Sequence, residues 1–164
     1  MSPMLPRNAD KINPANGKPT TASVTVFHVG PRDKDLCALA DILDRTDWTL
    51  CPGTHWSLAA TDDVPSTEAR LQGGGVPIVL CERESAAGSW KDVLESVGKF
   101  SEPPVLIVAS RTADEYLWAD ALNLGAYDVL SKPYYPAEVV RVLSMAWLQW
   151  MNRRAPAAAL AQAC

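Results

Sequence analysis

Residues 104–133 read PVLIVASRTADEYLWADALNLGAYDVLSKP, and this stretch decides the fold. Its first six residues form an apolar run of strand length. Thr112 with Glu115 makes a capping box for a helix that runs to Leu124, and Gly125 fits the stop of that helix. Residues 126–130 read as a second, short strand, and Lys132-Pro133 leads into a last helix over 136–152. Strand, helix and strand in this compass is the unit from which parallel sheets are built.

The same alternation extends toward the N-terminus. Residues 23–29 (SVTVFHV) are a β-branched run and a first strand. Residues 33–45 carry Leu36, Ala40 and Leu43 at helical spacing, and residues 55–60 are a weaker strand. Asp63-Val64-Pro65 starts a helix that Gly73-Gly74-Gly75 ends. Residues 76–81 (VPIVLC) are a fully apolar third strand. Residues 89–100 begin with Ser89 and Asp92 in a capping-box pattern. Five strands alternate with five helices. The continuously apolar third and fourth strands predict helices on both faces of the sheet. The expectation is a single-domain α/β fold, a doubly wound five-stranded parallel sheet of order 2-1-3-4-5, with its functional cleft at the carboxyl ends of strands one and three.

The chain has 164 residues, 48% apolar and 21% charged, with a net charge of −4. That suits one globular domain rather than a disordered chain. Residues 1–21 hold four of the thirteen prolines and read as a tail, as do residues 154–164. Setting aside Arg7, Lys11, Lys18, Asp10 and Arg154 leaves eleven basic and eighteen acidic residues over 22–153, a net of −7. An acidic domain argues against nucleic acid as chief partner. No apolar run approaches the length of a membrane span, and no hydrophobic leader is present, so the cytoplasm is the default compartment. Cys37, Cys51, Cys81 and Cys164 are scattered, which favours small apolar residues over a disulfide framework or a zinc site.

Position now selects the polar residues that can meet in the cleft. The strands end at His28-Val29-Gly30-Pro31, at Cys81-Glu82-Arg83-Glu84, at Ser110-Arg111 and at Ser131-Lys132-Pro133. Alternation along the third strand sends Cys81 and Glu82 to opposite faces. His28 reads first as a satisfied structural histidine; because strands one and three are neighbours in this order, the sharper alternative is a His28–Glu82 contact.

Ser110 after an apolar strand, Gly125-Ala126 ending a helix, then Asp128 and Lys132-Pro133-Tyr134, resemble the second half of a bacterial response-regulator receiver domain. The likeness extends more weakly over 23–152. It implies a flavodoxin-like sheet and a role in two-component phosphorelay signalling. Receivers take a phosphoryl group on an aspartate at the end of strand three. An acidic pair after strand one holds Mg²⁺, and a hydroxyl and a lysine contact the phosphoryl oxygens. Carried over residue by residue, Glu82 falls on the phosphoacceptor position, Ser110 on the hydroxyl and Lys132 on the lysine. His28 and Val29 fall on the acidic pair, and Val129 on a frequent Tyr or Phe position.

The resemblance with these substitutions implies a degenerate receiver. Mg²⁺ wants oxygen ligands, and neither His28 nor Val29 supplies a carboxylate, so no cofactor is expected. Glu82 and Lys132 are expected as a direct ion pair held in one signalling state. The chain ends soon after the last helix, so a stand-alone, non-enzymatic module is expected, acting on a histidine kinase, an effector or a second copy of itself. Trp147 and Trp150, at i,i+3 on the last helix, and Tyr134 are interface candidates, since exposed Trp anchors interfaces. The resemblance implies a homodimer through the helix 4–strand 5–helix 5 face. Two other readings stay open: phosphorylation at Glu82 with Glu84 assisting a metal, and a small cleft enzyme or ligand-binding protein using Cys81, His28 and Glu82. Gly73-Gly74-Gly75 has no Lys-Ser or Lys-Thr after it and reads as a turn, not a phosphate loop.

Overall fold

The computed structural model describes residues 22–85 and 88–163. The tail expected over 1–21, and Cys164, lie outside the described residues. Seven strands and five helices follow in the order β1 (Ser23–Val29), α1 (Lys34–Arg45), β2 (His55–Thr61), α2 (Val64–Leu71), β3 (Ile78–Glu82), β4 (Glu84–Ser85), β5 (Gly88–Ser89), α3 (Trp90–Val97), β6 (Val105–Ser110), α4 (Glu115–Leu124), β7 (Asp128–Ser131) and α5 (Pro136–Ala163).

The main sheet has the order β2-β1-β3-β6-β7 and is parallel throughout, which is the doubly wound order expected from the sequence. Alternation divides its side chains between two cores. Val24, Val26, Ile78, Leu80, Val105, Ile107, Ala109 and Leu130 face α1 and α5, where they meet Leu39, Ile42, Leu43, Val139, Val142, Leu143 and Ala146. Phe27, Val29, Val79, Cys81, Leu106, Val108 and Val129 face α2, α3 and α4, and pack on Leu71, Trp90, Val93, Val97, Leu117 and Ala121. His28, Glu82 and Lys132 continue the parity of Val26, Leu80 and Leu130. They therefore belong to the α1 and α5 side, at the edge where the strands end.

Local chemistry sets the helix ends. Asp33 caps α1 by accepting from the N–H groups of Asp35 and Leu36. Ser89 and Asp92 form the expected capping box on α3. Gly125 ends α4 at φ 109°, a left-handed conformation that costs glycine least. The cap of α4 differs from expectation: Asp114, not Thr112, is the N-cap, accepting from Leu117 N–H at 2.9 Å. Thr112 is tied instead to Ser110, whose hydroxyl accepts its N–H at 3.1 Å.

Three further differences have local causes. β3 begins at Ile78 rather than Val76 and includes Glu82, because its partner β6 pairs Ile78 with Val105 and Glu82 with Ala109. A hairpin of two two-residue strands, β4 and β5, lies between β3 and α3. The last helix runs on from Asn152 to Ala163, where a tail was expected over 154–164; the segment is rich in alanine, the best helix former, around the single Pro156. No helix among the described residues is long and apolar enough to cross a membrane.

Candidate functional site

The cleft is built where β1, β3, β6 and β7 end. Its floor is an ion pair between Lys132 Nζ and Glu82 Oε1 at 2.8 Å. The two side chains are 7% and 8% exposed. The same Glu82 oxygen stands 3.4 Å from His28 Nε2. His28 pairs with Leu80 across the ladder, so Glu82 lies two residues further along on the same face, a diagonal neighbour within side-chain reach. The Glu82–Lys132 contact expected from the sequence is present, and so is the His28–Glu82 contact held there as the alternative. The His28 ring is 1% exposed, and its Nδ1 has no hydrogen-bond partner.

A second carboxylate enters from α1. Asp35, in the first turn of that helix, places Oδ2 3.4 Å from Lys132 Nζ. Arg111, directly after β6, donates to the same oxygen. The Lys132 ammonium thus bridges Glu82 and Asp35, and the half-exposed Arg111 closes Asp35 from outside. Sequence reasoning missed Asp35. Its signal was present in Asp33-Lys34-Asp35, because the first turn of a helix that follows a parallel strand stands over that strand's carboxyl end. Arg111 was placed at the cleft by its strand end but without a partner.

The electrostatics follow from this packing. Partial desolvation works to raise the Asp33 pKa, but the Leu36 N–H, the Lys132 charge and the Asp35 N–H outweigh it, and the carboxyl is held below the usual range. Burial, then the Glu82, Asp35 and Asp33 carboxylates, push the Tyr134 phenol up, so it stays neutral. Its hydroxyl is buried without a hydrogen-bond partner. Burial, then the Glu82 charge, push the Cys81 thiol up to about 12. The thiolate required for nucleophilic attack is suppressed. As alternation predicted, Cys81 lies in the core on the face opposite Glu82.

Ser110 lies beside the pair rather than in it. It is 5% exposed, and its hydroxyl bonds the Thr112 N–H. Together with Glu82, Arg83, Glu84, Ala109, Arg111, Thr112 and Lys132 it lines an open cleft of about 330 Å³. Val29 and Val129 are buried in the core and cannot reach the cleft.

One of the interface candidates, Trp150, needs correction. Trp150 is 6% exposed and packs in the α1 and α5 core, so it is not a surface anchor. Helix α5 turns this position toward the sheet with Val139, Val142, Leu143 and Ala146. Trp147 is half-buried, stacked on Trp150 with ring centroids 5.6 Å apart. Tyr134 is likewise half-buried against the same core. Among the described residues, the large exposed apolar side chains of α5 are Met145, Leu148 and Met151.

No protein-family model and no curated protein matches the sequence. Solved structures do match the fold. The chain is similar to the signal receiver domain of an HD domain-containing protein from Pseudomonas fluorescens, at 20% identity and a TM-score of 0.66, over 80% of this chain and 91% of that one. It is similar to a CheY-like response regulator receiver domain protein from Methanospirillum hungatei, at 14% identity and a TM-score of 0.65, over 80% and 99%. A response regulator in red light signaling of R. palustris matches at 20% identity and a TM-score of 0.59, over 79% and 94%. The fold is that of the receiver domains.

Proposed function

We propose that this chain is a response-regulator receiver-type module of two-component signalling that acts by protein–protein contact, with a cleft held by an internal ion pair in place of a phosphoryl group. The observation that carries the reading is the Lys132 ammonium set between Glu82 and Asp35. The lysine's charge is satisfied within the chain, and the carboxylate at the phosphoacceptor position is already engaged.

The residues present do not suit the Mg²⁺ that such folds use. Magnesium requires near-octahedral oxygen ligation. Glu82 Oε1 and Asp35 Oδ2 are both occupied by cationic side chains, and the last two positions of β1 hold an imidazole and a core valine. Phosphoryl transfer needs a free carboxylate in line with the donor and a metal to neutralise charge. The suppressed Cys81 thiol likewise speaks against the cleft-enzyme reading.

The partners that fit are a histidine kinase, an effector or a second copy, with α4, β7 and α5 as the face for a homodimer. A phosphorylatable Glu82 remains the second reading, favoured by Ser110 and Lys132 lining one cleft with it. Incubation with acetyl phosphate and Mg²⁺ followed by intact-mass measurement separates the two. The expected result is unmodified protein. A stable stoichiometric adduct mapped to Glu82 selects the second reading.

A further inference from the structure

The loop after β1 passes so close to β3 that residue 30 has no room for a side chain. A Cβ on Gly30 would lie 2.4 Å from Glu82 Cγ, 3.1 Å from Glu82 Cβ and 3.1 Å from His28 Cε1. The first distance is far inside van der Waals contact. Two of these three neighbours cannot retreat. Glu82 Cβ is carried by β3 through its pairing with Ala109, and the His28 ring is fully enclosed on β1. Only Glu82 Cγ can move, by rotation about the Cα–Cβ bond, and that rotation takes the carboxylate away from Lys132. The Gly30 backbone cannot swing aside either, since its N–H donates to the Thr61 carbonyl at 3.0 Å and extends the β1–β2 ladder by one residue.

We infer that Gly30 is the positioning residue of the cleft: lacking a side chain, it admits the Glu82 rotamer that sets one carboxylate oxygen on both Lys132 and His28. Glycine at 30 and glutamate at 82 are a matched pair. The inference rests on reading the Glu82–Lys132 contact as the element that sets the state of the cleft.

Two effects of a side chain at 30 are separable. Gly30 has a φ of +153°, a conformation L-residues rarely adopt, so Gly30→Ala carries backbone strain whatever stands at 82. The 2.4 Å collision with Cγ exists only while Glu82 is present, whereas the two 3.1 Å contacts persist in Glu82→Ala. A double-mutant cycle of Gly30→Ala and Glu82→Ala in the full chain distinguishes them. The Lys132 ammonium is followed by NMR on ¹⁵N-lysine protein, assigned with Lys132→Arg.

The expected result is a slowly exchanging Lys132 ammonium signal in the parent protein that is lost in Gly30→Ala, as it is in Glu82→Ala. The fall in Tm caused by Gly30→Ala should be at least halved when Glu82→Ala is already present. A Lys132 signal unchanged by Gly30→Ala, or an equal fall in Tm in both backgrounds, overturns the inference. Should Gly30→Ala alone fail to fold, recovery in the double variant supports the inference, and failure there as well overturns it. These readouts are made on the isolated chain, whereas the signalling reading fails by a Glu82 adduct in the mass measurement. Either can fail while the other stands.

Discussion

Asp35 Oδ2 and Lys132 Nζ stand 3.4 Å apart, joining the first turn of α1 to the residue that follows β7. With Glu82 on its other side, the ammonium of Lys132 ties α1 and β3 to the end of β7. Burial makes this arrangement sensitive to loss of its cation: Glu82 keeps only the His28 ring beside it, and Asp35 only the half-exposed Arg111.

Lys132→Met is therefore expected to lower the unfolding free energy by about 3–5 kcal/mol, the range for breaking a buried pair from one side. Arg111→Ala should cost no more than about 1 kcal/mol, since its side chain is half exposed and water can replace it. Urea denaturation of both variants measures the difference. Equal costs would show that the bridge carries no special weight.

The Asp33 cap gives a dependence on pH. Its pKa is lowered in the folded protein from 3.8, so its stabilisation is present above that value and disappears as pH falls through the lower folded value. Asp33→Asn keeps a capping side chain but removes the charge. The gap in Tm between the parent protein and Asp33→Asn should be open at pH 7 and narrow as the pH falls below 3.8. A gap independent of pH would remove the charge from the explanation.

Thiol labelling should follow burial and charge. Cys37 is exposed, whereas Cys81 is enclosed with its thiol pushed up to about 12. Alkylation of native protein at pH 8, mapped by peptide mass, should modify Cys37 and leave Cys81 untouched until denaturant is added. Rapid modification of Cys81 would reopen the question of a nucleophile in the fold.

Trp150 and Met151 are adjacent on α5 but have opposite environments, one buried and the other 46% exposed. Trp150→Ala should cost about 3–5 kcal/mol, as for a large core residue replaced by alanine. Met151→Ala should leave stability nearly unchanged. If α5 supplies a self-association face, sedimentation velocity will respond to Met151→Ala and not to a folded Trp150 variant such as Trp150→Phe.

How far the sequence could be read depended on whether the information was local. The apolar runs of β3 and β6, the Ser89–Asp92 box and Gly125 are local signals, and each marked its element. The strand order followed from the same alternation. Parity along β3 was enough to separate Cys81 from Glu82. Where two local solutions competed the sequence did not decide: Thr112 and Asp114 both offer a capping oxygen to α4, and the Ser110 hydroxyl, arriving from β6, engages Thr112 and leaves the cap to Asp114.

By itself, then, the sequence determined the parallel sheet, its order and the strand ends from which the cleft is made, because hydrophobic periodicity and caps act over a few residues. Only the tertiary structure decided which charges join the Glu82–Lys132 pair there. Asp35 joined to Lys132, Arg111 closing on Asp35, Trp150 turned inward and Gly30 lying against Glu82 are all relations across the sheet. Their geometry depends on strand register and helix packing, which no spacing along the chain encodes.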